Sequence, residues 1–189
     1  MKLNLGCGFR KRDGYHNVDK FADCMPDEIV DLEQFPWPWP DDSVDEVVMS
    51  HVLEHLGAET AVYFNIFREL HRVCRHGAVL DITVPHPRHD TFIADPTHVR
   101  PITIDGLSMF SRRQCEEWIR DGHANTPIAV MIGVDFEITR TTIVLDNDWR
   151  SRYETGKVSN IEMVRAMREL SNVVQETRIV MRAVKRYDI

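Results

Sequence analysis

Cysteine is scarce and scattered: the chain has four, Cys7, Cys24, Cys74 and Cys115, in 189 residues, and no two form a C-x-x-C pair. This argues against a disulfide framework or a zinc ribbon and for reduced thiols in a cytosol. No apolar run approaches the ~20 residues that a bilayer-crossing helix needs. The first residues, Met1 to Gly6, lack the apolar segment of a secretory signal. From these absences we expect a cytoplasmic protein with no membrane partner. Positive charge is also in deficit, 23 Lys+Arg against 30 Asp+Glu for a net charge of −7. That disfavours charge-driven nucleic-acid binding and leaves room only for a local basic patch. Such a patch has one candidate, residues 150–188, where Lys and Arg outnumber Asp and Glu. Repeats, low-complexity tracts and linkers are missing, so residues 1–189 are expected to form one domain. What remains is ordinary globular composition, 43% hydrophobic and 28% charged, in a chain long enough to bury a core without staples.

The hydrophobic patterning alternates between strand and helix periods. Residues 2–5 read as a strand running into Gly6-Cys7-Gly8. His16 to Asp19 and Glu28 to Asp31 read as two more, each ending on an acid, and Val44 to Met49 as a fourth. The ten residues between Gly8 and Asp19 are too few for a crossover helix, which predicts a turn of helix plus a loop. Prolines keep residues 35–42 out of helix interiors and central strands. His51 to Leu56 reads as a turn or short helix. Ala61, Phe64, Phe67, Leu70 and Cys74 recur at helical spacing over 59–75, with Gly77 as the expected stop. Ala78 to Val84 is a fifth strand, and Pro85 to Pro101 a long polar loop. Ser111 caps a short helix to Ile119, and Ser159-x-x-Glu162 is a capping box for a helix over 160–172. Val134–Leu145 and Thr177–Val184 read as late strands. The expected fold class is α/β, a Rossmann-like, mostly parallel sheet with an antiparallel C-terminal strand.

Ligands of open α/β sheets bind outside the carboxyl ends of the strands. Those ends carry Gly6-Cys7-Gly8, Asp19, Asp31-Leu32, Ser50-His51 and Pro85-His86. The glycines let a backbone approach a ligand closely. An acid after the second strand can accept both hydroxyls of a ribose, and Asp31 can accept from an adenine amino group. The alternative is that the glycines only make a tight turn and the acids only end strands in water.

Leu3-Asn4-Leu5-Gly6-Cys7-Gly8, Gly14-Tyr15-His16-Asn17-Val18-Asp19, Trp37-Pro38-Trp39-Pro40-Asp41-Asp42-Ser43-Val44-Asp45 and Ser50-His51-Val52-Leu53-Glu54-His55-Leu56 together resemble the class I S-adenosylmethionine-dependent methyltransferases. The likeness is to a compact branch with a shortened first crossover, and its motifs run from residue 2 to about residue 85. The resemblance implies a Rossmann-like methyltransferase fold and S-adenosylmethionine as methyl donor. It places the methionine end of the donor at Gly6, Cys7 and Gly8, the ribose at Asp19 and adenine at Asp31 and Leu32. Ser50 and His51 would face the methionine moiety. Asn4 stands where the family usually has an acid, and the usual third glycine is absent. The same departures, with an acid far nearer than ~20 residues, count against a dinucleotide dehydrogenase.

The resemblance also makes residues 86–130 the region facing the methyl acceptor. His86, His89 and Asp90 are the candidates for catalysis, since a histidine near neutral pKa can take a hydroxyl or amine proton. His86, nearest the strand end, comes first, and His98 belongs to the same stretch. Nothing in the sequence separates a small-molecule from a macromolecular acceptor, or O- from N-methylation. Trp37 and Trp39 are expected to pack the proline-rich loop onto the sheet.

His51-Val52-Leu53-Glu54-His55 spells H-x-x-E-H, the pattern of inverted zinc peptidases. Here it begins directly after a strand, and no downstream acid stands out as third ligand. Some small-RNA 3′-end and ubiquinone-pathway O-methyltransferases carry E-x-x-E-H at this place and hold a divalent cation there. This chain would place His51, Glu54 and His55 on those positions, with a later histidine completing the set, but His51 replaces the first acid and imidazole suits zinc better than magnesium. The expectation carried forward is no metal, with Glu54 and His55 packing and hydrogen bonding below the site. Two alternatives stay open: a metal-dependent enzyme using His51, Glu54 and His55, and a non-catalytic nucleoside-binding regulatory domain.

Overall fold

Seven strands form one sheet in a computed structural model that describes residues 1–185. Arg186 and Asp188 of the basic stretch lie outside the described residues. The first strand, β1 (Lys2–Leu5), pairs in parallel with β2 (His16–Asp19) on one side. The residues between them form turns without a helix. A 3-10 turn, Ala22–Cys24, leads into the two-residue edge strand β3 (Glu28–Ile29), parallel to β2. The third strand is therefore shorter than the expected 28–31: pairing with β2 ends at Ile29, with one last bond from Val30 N–H to Asp19 O at 3.1 Å.

The chain then crosses to the other side of β1 as β4 (Val44–Ser50). A 3-10 turn over Leu53–His55 precedes helix α1 (Thr60–Val73), which returns the chain into β5 (Cys74–Pro85), parallel to β4. The buried stripe of α1 includes Tyr63, Ile66, Phe67, Leu70 and Val73, the i, i+3, i+4, i+7 spacing of an amphipathic helix. Gly77 does not end this helix as expected. Cys74 already has extended φ and ψ and opens β5. Gly77 instead sits at φ +81 where the β4–β5 register shifts, so its left-handed freedom serves a bulge.

After β5 come four short helices, α2 (Asp90–Ile93), α3 (Ile104–Ser108), α4 (Arg112–Asp121) and α5 (Ile128–Ile132). Strand β6 (Phe136–Leu145) follows, then helices α6 (Asn147–Glu154) and α7 (Asn160–Glu169), and β7 (Val174–Ala183). Strand β7 inserts between β5 and β6, antiparallel to both, giving the order β3-β2-β1-β4-β5-β7-β6. The expected mixed sheet is thus observed. Both serine caps form: Ser111 accepts from Gln114 N–H, and Ser159 and Glu162 make the reciprocal box.

The main core lies between the sheet and α1, where Phe67 stacks on Phe110 with ring centroids 3.7 Å apart and meets Phe136 edge-on. Met163, Ala166 and Val173 form a smaller cluster beneath α6 and α7. No helix among the described residues is long and apolar enough to cross a membrane. The four cysteines are free.

Candidate functional site

The strand order reverses between β1 and β4, and a cleft of about 390 Å³ opens there, outside the carboxyl ends of the parallel strands. Gly6, Asp19, Asp31, Leu32 and His51 all line it, so five of the nine residues expected to hold a donor share one cavity. Gly6 is required by space as well as by its φ of +62, since a Cβ would lie 2.5 Å from Val52 Cγ2. Asp19 is buried, and its carboxylate is oriented from two sides. Gly8 N–H donates to Oδ2 at 2.8 Å and Phe21 N–H to Oδ1 at 3.0 Å. These bonds tie the glycine turn to the end of β2 and leave lone pairs for a ligand. Asp31 is held the same way by Glu33 N–H at 3.0 Å. Val30, Leu32, Val52 and Leu56 supply apolar wall, and Lys20, Phe21 and Thr97 complete the lining.

Asn4, Cys7, Gly8 and Ser50 do not line the cleft. Asn4 is buried and spends its amide on Arg10 O and Asn17 Oδ1, so it shapes the β1–β2 connection. Cys7 is buried too, with burial and Asp19 pushing its thiol pKa up. Trp37 and Trp39 pack on each other at 72°, send their indole N–H groups to Leu32 O and Glu28 Oε2, and do not line the cleft.

A second cleft of about 260 Å³ adjoins the first, and His51 and His55 line both. Its other walls are Pro85, Thr91, Asp95, His98, Gln175 and Glu176. The loop after β5 therefore does reach the ligand edge, but through residues other than those expected. His89 is buried: its Nδ1 accepts from Thr91 N–H, and its Nε2 lies 3.5 Å from Asp146. The His86 ring accepts from Arg88 N–H, and burial lowers its pKa. Asp90 is exposed, its backbone N–H bound by Asn172. None of these three lines either cleft.

His51 sits at the junction with φ +57, a conformation that costs a non-glycine residue and recurs at functional sites. Its Nδ1 lies 3.5 Å from Glu54 Oε1 and its Nε2 3.5 Å from Glu176 Oε1. The nearby carboxylates, Glu54 first, hold its pKa above the ordinary histidine value. Glu54 is fully buried, and neither carboxylate oxygen has a hydrogen-bond partner. The hydrogen bonding expected of it below the site is therefore absent. The side chains of Glu54, His55 and His98 converge, each offering a ligand atom within 4.8 Å of the others.

Residues 18–82 match the family model described as a methyltransferase domain. The fold is shared with solved S-adenosylmethionine-dependent methyltransferases. Among solved structures, an S-adenosylmethionine-dependent methyltransferase from Archaeoglobus fulgidus is similar at TM-score 0.63 and 19% identity, over 96% of this chain and 85% of that one. A methyltransferase of the same description from Methanosarcina mazei gives 0.57 at 13% identity, covering 98% and 92%. A putative methyltransferase complex with the Trm112 activator from Haloferax volcanii gives 0.56 at 14%, covering 97% and 82%. Among curated proteins none matches.

The positions named from the motifs divide by whether they reach this cavity. Asp19, Asp31, Leu32 and Gly6 reach the cavity, whereas Asn4 and Cys7 lie beneath it. Thr91, Asp95, Gln175 and Glu176 line the second cleft without belonging to any of the motifs. Polar residues in a His- and Asp-rich loop were the only signal for the first two. Glu176 had none, because it reaches the cleft only through the antiparallel pairing Pro85↔Glu176.

Proposed function

We propose that the chain transfers the methyl group of S-adenosylmethionine, bound in the larger cleft, to an acceptor that enters through the second cleft, in the cytosol. One observation carries this reading: Gly6, Asp19, Asp31 and Leu32 line a single cavity at the topological switch point. The residues present suit the donor. Asp19 has acceptor capacity left for ribose hydroxyls, Asp31 for an adenine amino group, and Val30, Leu32 and Leu56 offer apolar contact to the ring. When bound, the donor supplies an electrophilic methyl on a sulfonium, open to in-line attack. The chain's own part is to hold donor and nucleophile in line, exclude water and receive a proton. His51 borders both clefts, so it stands between donor and acceptor, and Glu176 and Asp95 give the acceptor side a polar, acidic wall. This assignment replaces His86, His89 and Asp90, whose side chains line neither cleft.

Calorimetry with S-adenosylhomocysteine tests the reading. The wild-type chain should bind one equivalent, and Asp19→Ala should bind about 10- to 100-fold more weakly, because charge-assisted hydrogen bonds contribute about 1.5–3 kcal/mol. Equal affinity in a folded variant would remove Asp19 from the donor site. No nucleoside binding by the wild type would remove the donor itself.

A further inference from the structure

We infer that the methyl acceptor is a small aliphatic amine, which enters the second cleft as its ammonium ion and is held by Asp95 and Glu176. The inference rests on the reading of that cleft as the acceptor side. Both carboxylates line it, and among the described residues no lysine or arginine does. An acceptor carrying a phosphate or carboxylate would therefore meet like charge, whereas an ammonium meets two opposite charges.

The cationic side chains nearest in sequence are committed elsewhere. The loop after β5 carries two arginines. Arg88 donates to Arg168 O at 2.7 Å and to Met167 O. Arg100 donates to Gly57 O at 2.9 Å and lies over the Tyr63 ring, 4.4 Å from its centroid. His51, whose pKa is raised, has a carboxylate 3.5 Å from each ring nitrogen, Glu54 on one side and Glu176 on the other, so its charge is already matched.

The carboxylates are also placed to receive a ligand. Thr97 N–H and Oγ1 both donate to Asp95 Oδ1, at 2.8 and 2.6 Å, which fixes the side chain. Asp95 Oδ2 lies 3.8 Å from His98 Nε2, outside hydrogen-bond range, and so keeps its accepting capacity. The Glu176 side chain is 23% exposed, and partial burial strengthens its pull on a cation. Behind the wall stands Glu54, fully buried with no hydrogen-bond partner on either oxygen. It reaches within 4.8 Å of ring nitrogens of His55 and His98, which line the cleft. A buried carboxylate left unpaired favours positive charge nearby. The volume of about 260 Å³ is below the ~300–1,000 Å³ of pockets for drug-sized ligands, which limits the acceptor to a small molecule.

The transfer then balances as an N-methylation. The incoming ammonium loses one proton by way of the Glu176 carboxylate to water. The freed nitrogen lone pair forms the N–C bond as the S–C bond breaks, and that electron pair stays on sulfur. The products are a methylated ammonium and S-adenosylhomocysteine.

The test is an NMR titration of the protein with propylammonium, 1-propanol and propionate, with and without saturating S-adenosylhomocysteine. It is run at about 0.15 M salt, where diffuse attraction to an acidic surface is screened. Propylammonium should shift the amide signals of Thr91, Asp95, Gln175 and Glu176, and bind at least about 10-fold more tightly than the alcohol or the anion. Glu176→Gln should weaken it by about 10-fold or more, the worth of one hydrogen bond to a charged group. If that variant fails to fold, Asp95→Asn decides in its place. Absence of these shifts, equal or tighter binding of propionate or propanol, or unchanged affinity in the variant overturns the inference. Transfer of labelled methyl to an alcohol in preference to an amine overturns it too. If S-adenosylhomocysteine does not bind, the donor reading fails by itself, and the ammonium preference is still read from the nucleoside-free titration.

Discussion

Gly6 and Gly8 both have positive φ, yet only Gly6 has a close neighbour in the direction of a side chain. An alanine at either position incurs about 1–2 kcal/mol of left-handed strain. At Gly6 the new methyl would also press into Val52, adding about 1–3 kcal/mol of overpacking. Urea unfolding should therefore show Gly6→Ala less stable than Gly8→Ala, and Val52→Ala should recover part of the difference in the Gly6→Ala background. Equal losses, or no recovery, would mean that the Val52 contact is not what restricts this turn. At this scale the places of Gly6, Asp19 and Asp31 at the larger cleft were legible, because ligand clefts of open α/β sheets lie at the carboxyl ends of strands. His86 and His89 were chosen on the same logic, but chemistry that is right for a task does not reveal which way a ring points. His89 is committed to Thr91 and Asp146, and local spacing gave no warning of that.

Helix α1 and the proline-rich loop before β4 are joined through one carboxylate. Glu69 accepts Trp37 N–H at 2.6 Å and pairs with Arg72, which reaches on to Trp37 O and Trp39 O. Arg72 first, then the Trp37 N–H, holds the Glu69 pKa below the usual glutamate value. A carboxyl with a depressed folded pKa stabilises the fold above its unfolded pKa, and that contribution is lost as pH falls through the folded value. Glu69→Gln should therefore cost about 1–3 kcal/mol at neutral pH. The gap to wild type should narrow below about pH 4.3, the ordinary glutamate value. A gap that is constant from pH 7 to pH 3 in denaturant titrations would show that ionisation of Glu69 is not what holds the loop. Helix α1 was readable from its apolar spacing and α7 from its capping box. Helix α6 was not: its Asp146 cap holds a segment with little apolar periodicity and no buried residue, and only Trp149 packs against the small cluster.

The molecule as a whole places its two clefts at one end of the sheet and the small α6–α7 core at a separate cluster. A ligand that binds only the folded state stabilises it by about 2.7 kcal/mol at a hundred times its dissociation constant. Saturating S-adenosylhomocysteine should thus slow amide exchange most in residues 6–21 and 51–57, while α7 changes little. Protection concentrated in α6 and α7 would place the nucleoside elsewhere. Local patterning suffices for the strands up to β5, the principal helix, and the places of Gly6, Asp19 and Asp31 at the larger cleft. All of these rest on short-range periodicity and on residue types tied to particular backbone conformations. The second cleft, by contrast, is assembled by long-range contacts. The β5–β7 pairing carries Glu176 to Pro85, and Glu54 O fastens the segment bearing His98 beside His55. Contacts between residues so far apart in the chain depend on how the sheet closes and where the loop folds back, and no local pattern encodes that.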